Sequence, residues 1–199
     1  MQTRDVIRIA MFGALWGALE VSVGTWLHAL GLPVAGLIMA PLGVTVALAG
    51  RRIIGRNGSV IAIAAVAAAL KAVSFGGMVL SPMLAILLQG AIAEAVTFGP
   101  ARPARWRMAL AGALAVCWNV FHPIVGQGIL AGRGVYAMYL VVIQRALDLL
   151  GMSPAMALAA LGGVVAIYLV VGALAGLMAD AIAAGALRRL RPEEAPDDC

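Results

Sequence analysis

Ten side chains able to hold a small molecule stand inside or at the ends of long apolar runs of this sequence: Glu20, Trp26, His28, Lys71, Gln89, Glu94, Trp118, Asn119, His122 and Gln127. Two carboxylates, an ammonium, three amides, two imidazoles and two indoles are costly in hydrocarbon. Such groups ordinarily face a bundle interior or a water-filled cavity. Counted along ideal helices from one membrane face, Glu20, Lys71, Asn119 and His122 each lie roughly 18–22 Å up, and Gln89 reaches the same level from the opposite end. Trp26, His28, Trp118 and Gln127 fall at or above that level. A shared depth predicts a polar pocket that opens on the outer side.

Each residue also has a purely architectural reading. Glu20 and Lys71 can form a structural ion pair. Gln89 and Asn119 can bond helices to one another, as amides do in membrane bundles. His122 precedes Pro123 and can take a backbone carbonyl freed by that proline. Trp26 fits an interfacial aromatic belt, whereas Trp118 lies deeper and suits stacking. Glu94 lies lower and fits a gate or a structural role. For reaction chemistry the sequence offers little: there is no HExxH, no Walker motif, and no Ser/His/Asp grouping with helical spacing. Cys117 and Cys199 with two histidines are thin material for a metal site, so neither metal nor cofactor is expected. No repeated filter-like loop points to a channel.

Positioning these groups requires membrane helices. With 63% hydrophobic and 12% charged residues and a mean hydropathy of +1.02, an ordinary soluble domain is excluded. The hydrophobic runs are continuous rather than alternating, which predicts an all-α integral membrane protein. At 199 residues the chain has room for about six spans of roughly 20 residues. One domain over residues 1–190 is expected, followed by a polar, disordered tail over 191–199.

The net charge of +5 follows topology rather than nucleic acid. Arg4, Arg8, Arg51, Arg52, Arg56, Arg102, Arg105, Arg107, Arg188, Arg189 and Arg191 fall at helix ends on one side. Arg133 and Arg145 fall on the other, with Lys71 inside a span. The positive-inside rule then places both termini in the cytoplasm of a multi-pass bacterial or archaeal plasma-membrane protein.

The spans are expected at about 6–27, 34–49 with Pro41 kinking it, 59–75, 81–98, 108–128 and 154–187. The last is too long for a straight crossing, so a tilt, a protrusion or a break at Gly162-Gly163 is expected. Residues 135–150 read as an amphipathic helix in the last outer loop, lying on the surface or dipping into it. Its role is that of a connector or a lid. No internal repeat supports an inverted-repeat transporter. In the first span Ala10, Ala14 and Ala18 recur every fourth residue beside Gly13 and Gly17, giving a flat face suited to close helix packing.

The chain resembles the S components of energy-coupling factor transporters, the vitamin-capturing membrane subunits of a class of ABC importers. The resemblance rests on size, six expected spans, cytoplasmic termini and the Ala10-xxx-Ala14-xxx-Ala18 stripe. LLQGAIAEAV at 87–96, after a Ser81-Pro82 helix start, is similar to a stretch of the hydroxymethylpyrimidine and thiamine S components, as is the Gly172–Leu177 run. The resemblance implies that Ala10, Ala14 and Ala18 dock a transmembrane coupling subunit. It also implies that Gln89 and Glu94 contact substrate or support the pocket, and that two cytosolic ATPases supply energy. A subunit of this kind is not itself an enzyme. Lys71 departs from the subgroup, which tends to carry an acidic residue there, and the 129–153 connector is longer than expected. A neutral or anionic ligand therefore stays open beside a thiamine-like one. Two rivals share the same residues: an intramembrane enzyme using Glu20, Lys71 and His122 on a lipid-borne substrate, and a scaffold subunit of a membrane complex.

Overall fold

The computed structural model describes residues 2–24, 26–27, 35–73, 80–131, 147–148, 151 and 153–189. Within them the chain forms six α-helices and no strand: α1 (Thr3–Leu19), α2 (Ala35–Ile54), α3 (Ser59–Ala72), α4 (Leu80–Thr97), α5 (Arg105–Ala131) and α6 (Pro154–Arg189). The expected amphipathic segment 135–150 and the tail lie almost wholly outside the described residues. Among the described residues, four helical stretches are long and apolar enough to cross a membrane: Thr3–Gly24, Gly36–Ile54, Leu80–Thr97 and Ala155–Arg189. At 14 residues, α3 measures about 21 Å against a hydrocarbon core of about 30 Å. With its 27 residues α5 is long enough, but it opens on Arg105 and Arg107 and carries Asn119 and His122.

Neighbours in space run α1, α3, α4, α5, α6, α2 and back to α1, and α2 also touches α3, α4 and α5. The ring is therefore closed by the last helix, which wedges between α2 and α5. Small residues allow this closeness. Gly112 on α5 faces Gly172 and Gly176 on α6, and a methyl group on any of the three would run into the facing main chain. That is the contact expected of a G-xxx-G pair in lipid, where backbones meet directly. Gly13 and Gly17 take Val66 and Leu70 of α3 in the same way, and Gly43 takes the indole of fully buried Trp16.

One end of the bundle is tied by arginines. Fully buried Arg51 donates to the carbonyls of Thr97 (3.2 Å), Pro100 (2.8 Å) and Ala101 (3.3 Å) and to Asn57 Oδ1 (2.8 Å). Guanidinium donors thus satisfy the carbonyls left over at a helix C-terminus. Arg107 does the same for Val96 (3.0 Å) and Phe98 (2.8 Å). Arg52 pairs with Asp180 of α6 at 2.6 Å, and Arg56 with Asp5 of α1 at 2.9 Å. These contacts bring the start of α1 and the C-terminal third of α6 to the same end.

Two expectations for single elements change. The first span is not one regular helix: α1 stops at Leu19 and a π-helical turn follows over Glu20–Gly24. The Gly162-Gly163 pair does not break the last span, because α6 runs unbroken for 36 residues. Among the described residues both glycines face open space, and none packs there to bend the helix. Pro41 does stand inside α2, and its carbonyl accepts the Thr45 hydroxyl at 2.7 Å.

Candidate functional site

A cavity of about 350 Å³ lies in the half of the bundle away from the arginine end, lined by the π turn after α1 and by α2 to α6. Its lining comprises Glu20 of the π turn, Gly36, Met39 and Ala40 of α2, Lys71 of α3, Ser81, Pro82, Ala85, Ile86 and Gln89 of α4, Asn119 and His122 of α5, and Tyr168 of α6. The volume suits a small organic molecule. Glu20, Lys71, Gln89, Asn119 and His122, placed at one depth by counting residues, all meet here.

The polar groups form three pairs. Gln89 Nε2 donates to Asn119 Oδ1 at 3.0 Å, joining α4 to α5. Ser81 Oγ and His122 Nε2 lie 3.1 Å apart and join the same two helices again. Lys71 Nζ donates to the main-chain oxygen of Glu20 at 3.1 Å. That carbonyl belongs to the first residue of the π turn, where regular α bonding gives way and backbone oxygens become available to side chains. Two polar atoms remain over: Asn119 Nδ2 and His122 Nδ1 are buried without a hydrogen-bond partner among the described residues. Buried polar atoms left in this way cost stability unless something else satisfies them.

The aromatic expectations change. Trp26 is 63% exposed and belongs to the outer surface. Trp118 is not in the lining; its ring sits behind His122, centroids 6.3 Å apart and planes tilted by 54°. The phenol that does line the cavity is that of Tyr168, whose hydroxyl would lie 4.0 Å from a Cβ placed on Gly36. Sequence reasoning passed over Tyr168 and Ser81. A lone phenol in an otherwise apolar run of α6, 12 residues above Asp180, was the available signal.

Glu94 lies elsewhere too. Its carboxylate accepts the Gly58 N–H at 2.7 Å and the Val60 N–H at 2.8 Å, so it caps the start of α3 near the arginine end. Negative charge is favoured there because the first amides of a helix have no partners within it. His28 and the side chain of Gln127 fall outside the described residues. On α1, Ala10, Ala14 and Ala18 are exposed, flanked by exposed Ile7, Met11 and Leu15, while Gly13 and Gly17 are buried against α3. The two small-residue stripes, about 80° apart around the helix axis, are therefore one exposed and one buried.

Fold and site together describe a helical, multi-span membrane protein with a polar cavity in one half. No protein-family model matches the sequence, and no curated protein or solved structure matches the chain.

Proposed function

We propose that the chain is the substrate-capture subunit of an energy-coupling factor importer, taking up a small water-soluble vitamin or precursor of the thiamine and hydroxymethylpyrimidine kind. The observation that carries this reading is a single cavity. Five polar side chains from four stretches of sequence meet in it, on the side of the bundle away from the arginines. In this reading the arginine end is cytoplasmic, with both termini there, and the cavity takes its ligand from outside. All six helices cross the bilayer, and the exposed Ala10-Ala14-Ala18 stripe meets a transmembrane coupling subunit that carries two ATPases. The chain itself carries out no chemistry.

Support also comes from how α1 divides its faces. The glycine stripe is used up inside the bundle, so the alanine stripe stays available for an external helix.

The test is co-purification and binding. Purified protein should carry, or saturably bind, a small polar molecule without converting it, and should co-elute with a coupling subunit when the two are expressed together. Ala14→Trp should abolish that co-elution and leave ligand affinity within about twofold, because the residue is remote from the cavity. Turnover of a lipid-borne compound by the isolated chain would instead establish the intramembrane enzyme.

A further inference from the structure

The stretch joining α4 to α5 is clamped along its length. Arg51 takes the carbonyls of Thr97, Pro100 and Ala101, Arg107 those of Val96 and Phe98, and Arg52 that of Pro103 at 2.8 Å. The Gly99 N–H donates to Asn57 Oδ1 at 3.0 Å, and Pro103 is fully buried. Three guanidiniums and one amide therefore fix a backbone that has no regular structure of its own. Side chains that leave it outward start from a fixed root.

Four such side chains stand bare. Phe98 is 60% exposed and Trp106 66%, and Arg102 and Arg105 are exposed as well. Neither arginine has a hydrogen-bond or ion-pair partner among the described residues. No described carboxylate at this end is left to supply one. Asp5 and Asp180 pair with Arg56 and Arg52, and Glu94 is engaged with the first amides of α3. Arg105 opens α5, where the positive end of the helix dipole disfavours a cation, so it does nothing for the helix that carries it. Arg188 and Arg189 differ, because they close α6, where the dipole favours them.

Two unpaired guanidiniums beside two bare rings, at the end of a membrane bundle, match the chemistry of a lipid headgroup zone. The planar fork of arginine fits the oxygens of a phosphate. Aromatic rings settle between headgroup and acyl chain, and basic groups next to a span attract anionic lipid. With no free carboxylate among the described residues here, nothing would meet the cation of a choline headgroup. We infer that the α4–α5 connection is a docking site for an anionic phospholipid, its phosphate held by Arg102 and Arg105 and its upper acyl region flanked by Phe98 and Trp106. This requires only that the bundle spans a membrane, and it is independent of the importer reading.

The test uses the purified full chain in detergent, titrated with dioleoyl phosphatidylglycerol or dioleoyl phosphatidylcholine and read by native mass spectrometry. Phosphatidylglycerol should be retained at least about tenfold more tightly, from roughly fivefold per arginine. Inorganic phosphate in excess should not displace it, because it brings no acyl chain to the rings. Arg102→Gln with Arg105→Gln should shrink the preference to within about threefold. Arg188→Gln with Arg189→Gln should leave it within about twofold of the wild type. Since neither Arg102 nor Arg105 bonds to the described chain, the first variant should elute as the wild type does. Should it not, the two single substitutions, each expected to lower the preference about fivefold, carry the same test.

Equal losses in the two double variants would show a diffuse positive surface rather than a site. Residues 193–198 include Glu193, Glu194, Asp197 and Asp198, and removing 192–199 should leave the preference within about twofold. A tenfold rise on that removal would show that the acidic tail covers the arginines instead. Either result overturns the inference, as does displacement by inorganic phosphate. A variant of Arg102 and Arg105 that keeps its lipid but no longer co-elutes with a coupling subunit overturns it too, in favour of a protein contact. None of these outcomes touches ligand binding in the cavity, so the importer reading stands or falls by its own test.

Discussion

Asn119 and His122 stand three residues apart on α5 and therefore on one face of it, and each is met by a partner from α4, Gln89 and Ser81. This convergence was legible in the sequence because helical rise is constant and polar groups in an apolar bundle have few places to go. The partner at each rung was not legible, since it depends on how α4 and α5 are rotated about their axes. The aromatic wall was missed for a related reason. Indoles were weighed by depth alone, and only rotation decides that Trp118 stands behind His122 while Tyr168 faces the cavity. Glu94 shows what a local motif cannot convey. Its job is set by α3, whose first amides come within 2.7–2.8 Å of its carboxylate. Glu94→Gln replaces one of the two acceptor oxygens by a donor facing an N–H. It should cost about 1–3 kcal/mol of stability, read as a lower Tm in detergent, with ligand affinity of the folded protein unchanged.

At the scale of helices, the place of each one followed from apolar runs and their breakers, although α2 runs on through Arg51-Arg52 to Ile54 instead of ending at 49. The α2–α3 connection is one example, where Gly55 at φ +72° and Gly58 at φ +83° make the turn. Departures from regularity did not follow. Nothing in EVSVG announces a π turn over 20–24, because what stabilises it is the Lys71 ammonium reaching across from α3. Nor did the glycines at 162–163 mark a break, since glycine lowers helix preference but compels nothing when no neighbour presses on it. The Gly172-xxx-Gly176 pair carries more consequence, lying directly on the backbone of α5 at Gly112 and Met108. Gly176→Val places a branched side chain against main-chain atoms that cannot yield. It should prevent α6 from seating, which would be seen as loss of the monodisperse peak in size-exclusion chromatography. Gly163→Ala, which meets open space, should elute as the wild type does.

Across the whole molecule, ion pairs and buried arginines gather the start of α1, the end of α2, the start of α3, the end of α4 and Asp180 of α6 at one end. The arginine bias in the sequence pointed to such an end. It did not show that Arg51 would be engaged by four partners, because guanidinium contacts depend on the loop that folds over it. Placing this end in the cytoplasm can be tested with the native thiols, since Cys117 is 8% exposed and Cys199 closes the sequence. A membrane-impermeant maleimide should leave intact cells unlabelled and should react at Cys199 once the membrane is opened. Labelling of intact cells at Cys199 would invert the orientation.

Because α6 follows the other described helices in the chain and also completes their circle, a nascent chain halted before residue 154 would already hold both amide and imidazole rungs yet lack the Tyr168 side of its enclosure. The cavity would then gain its last wall in a single step, when α6 takes its place.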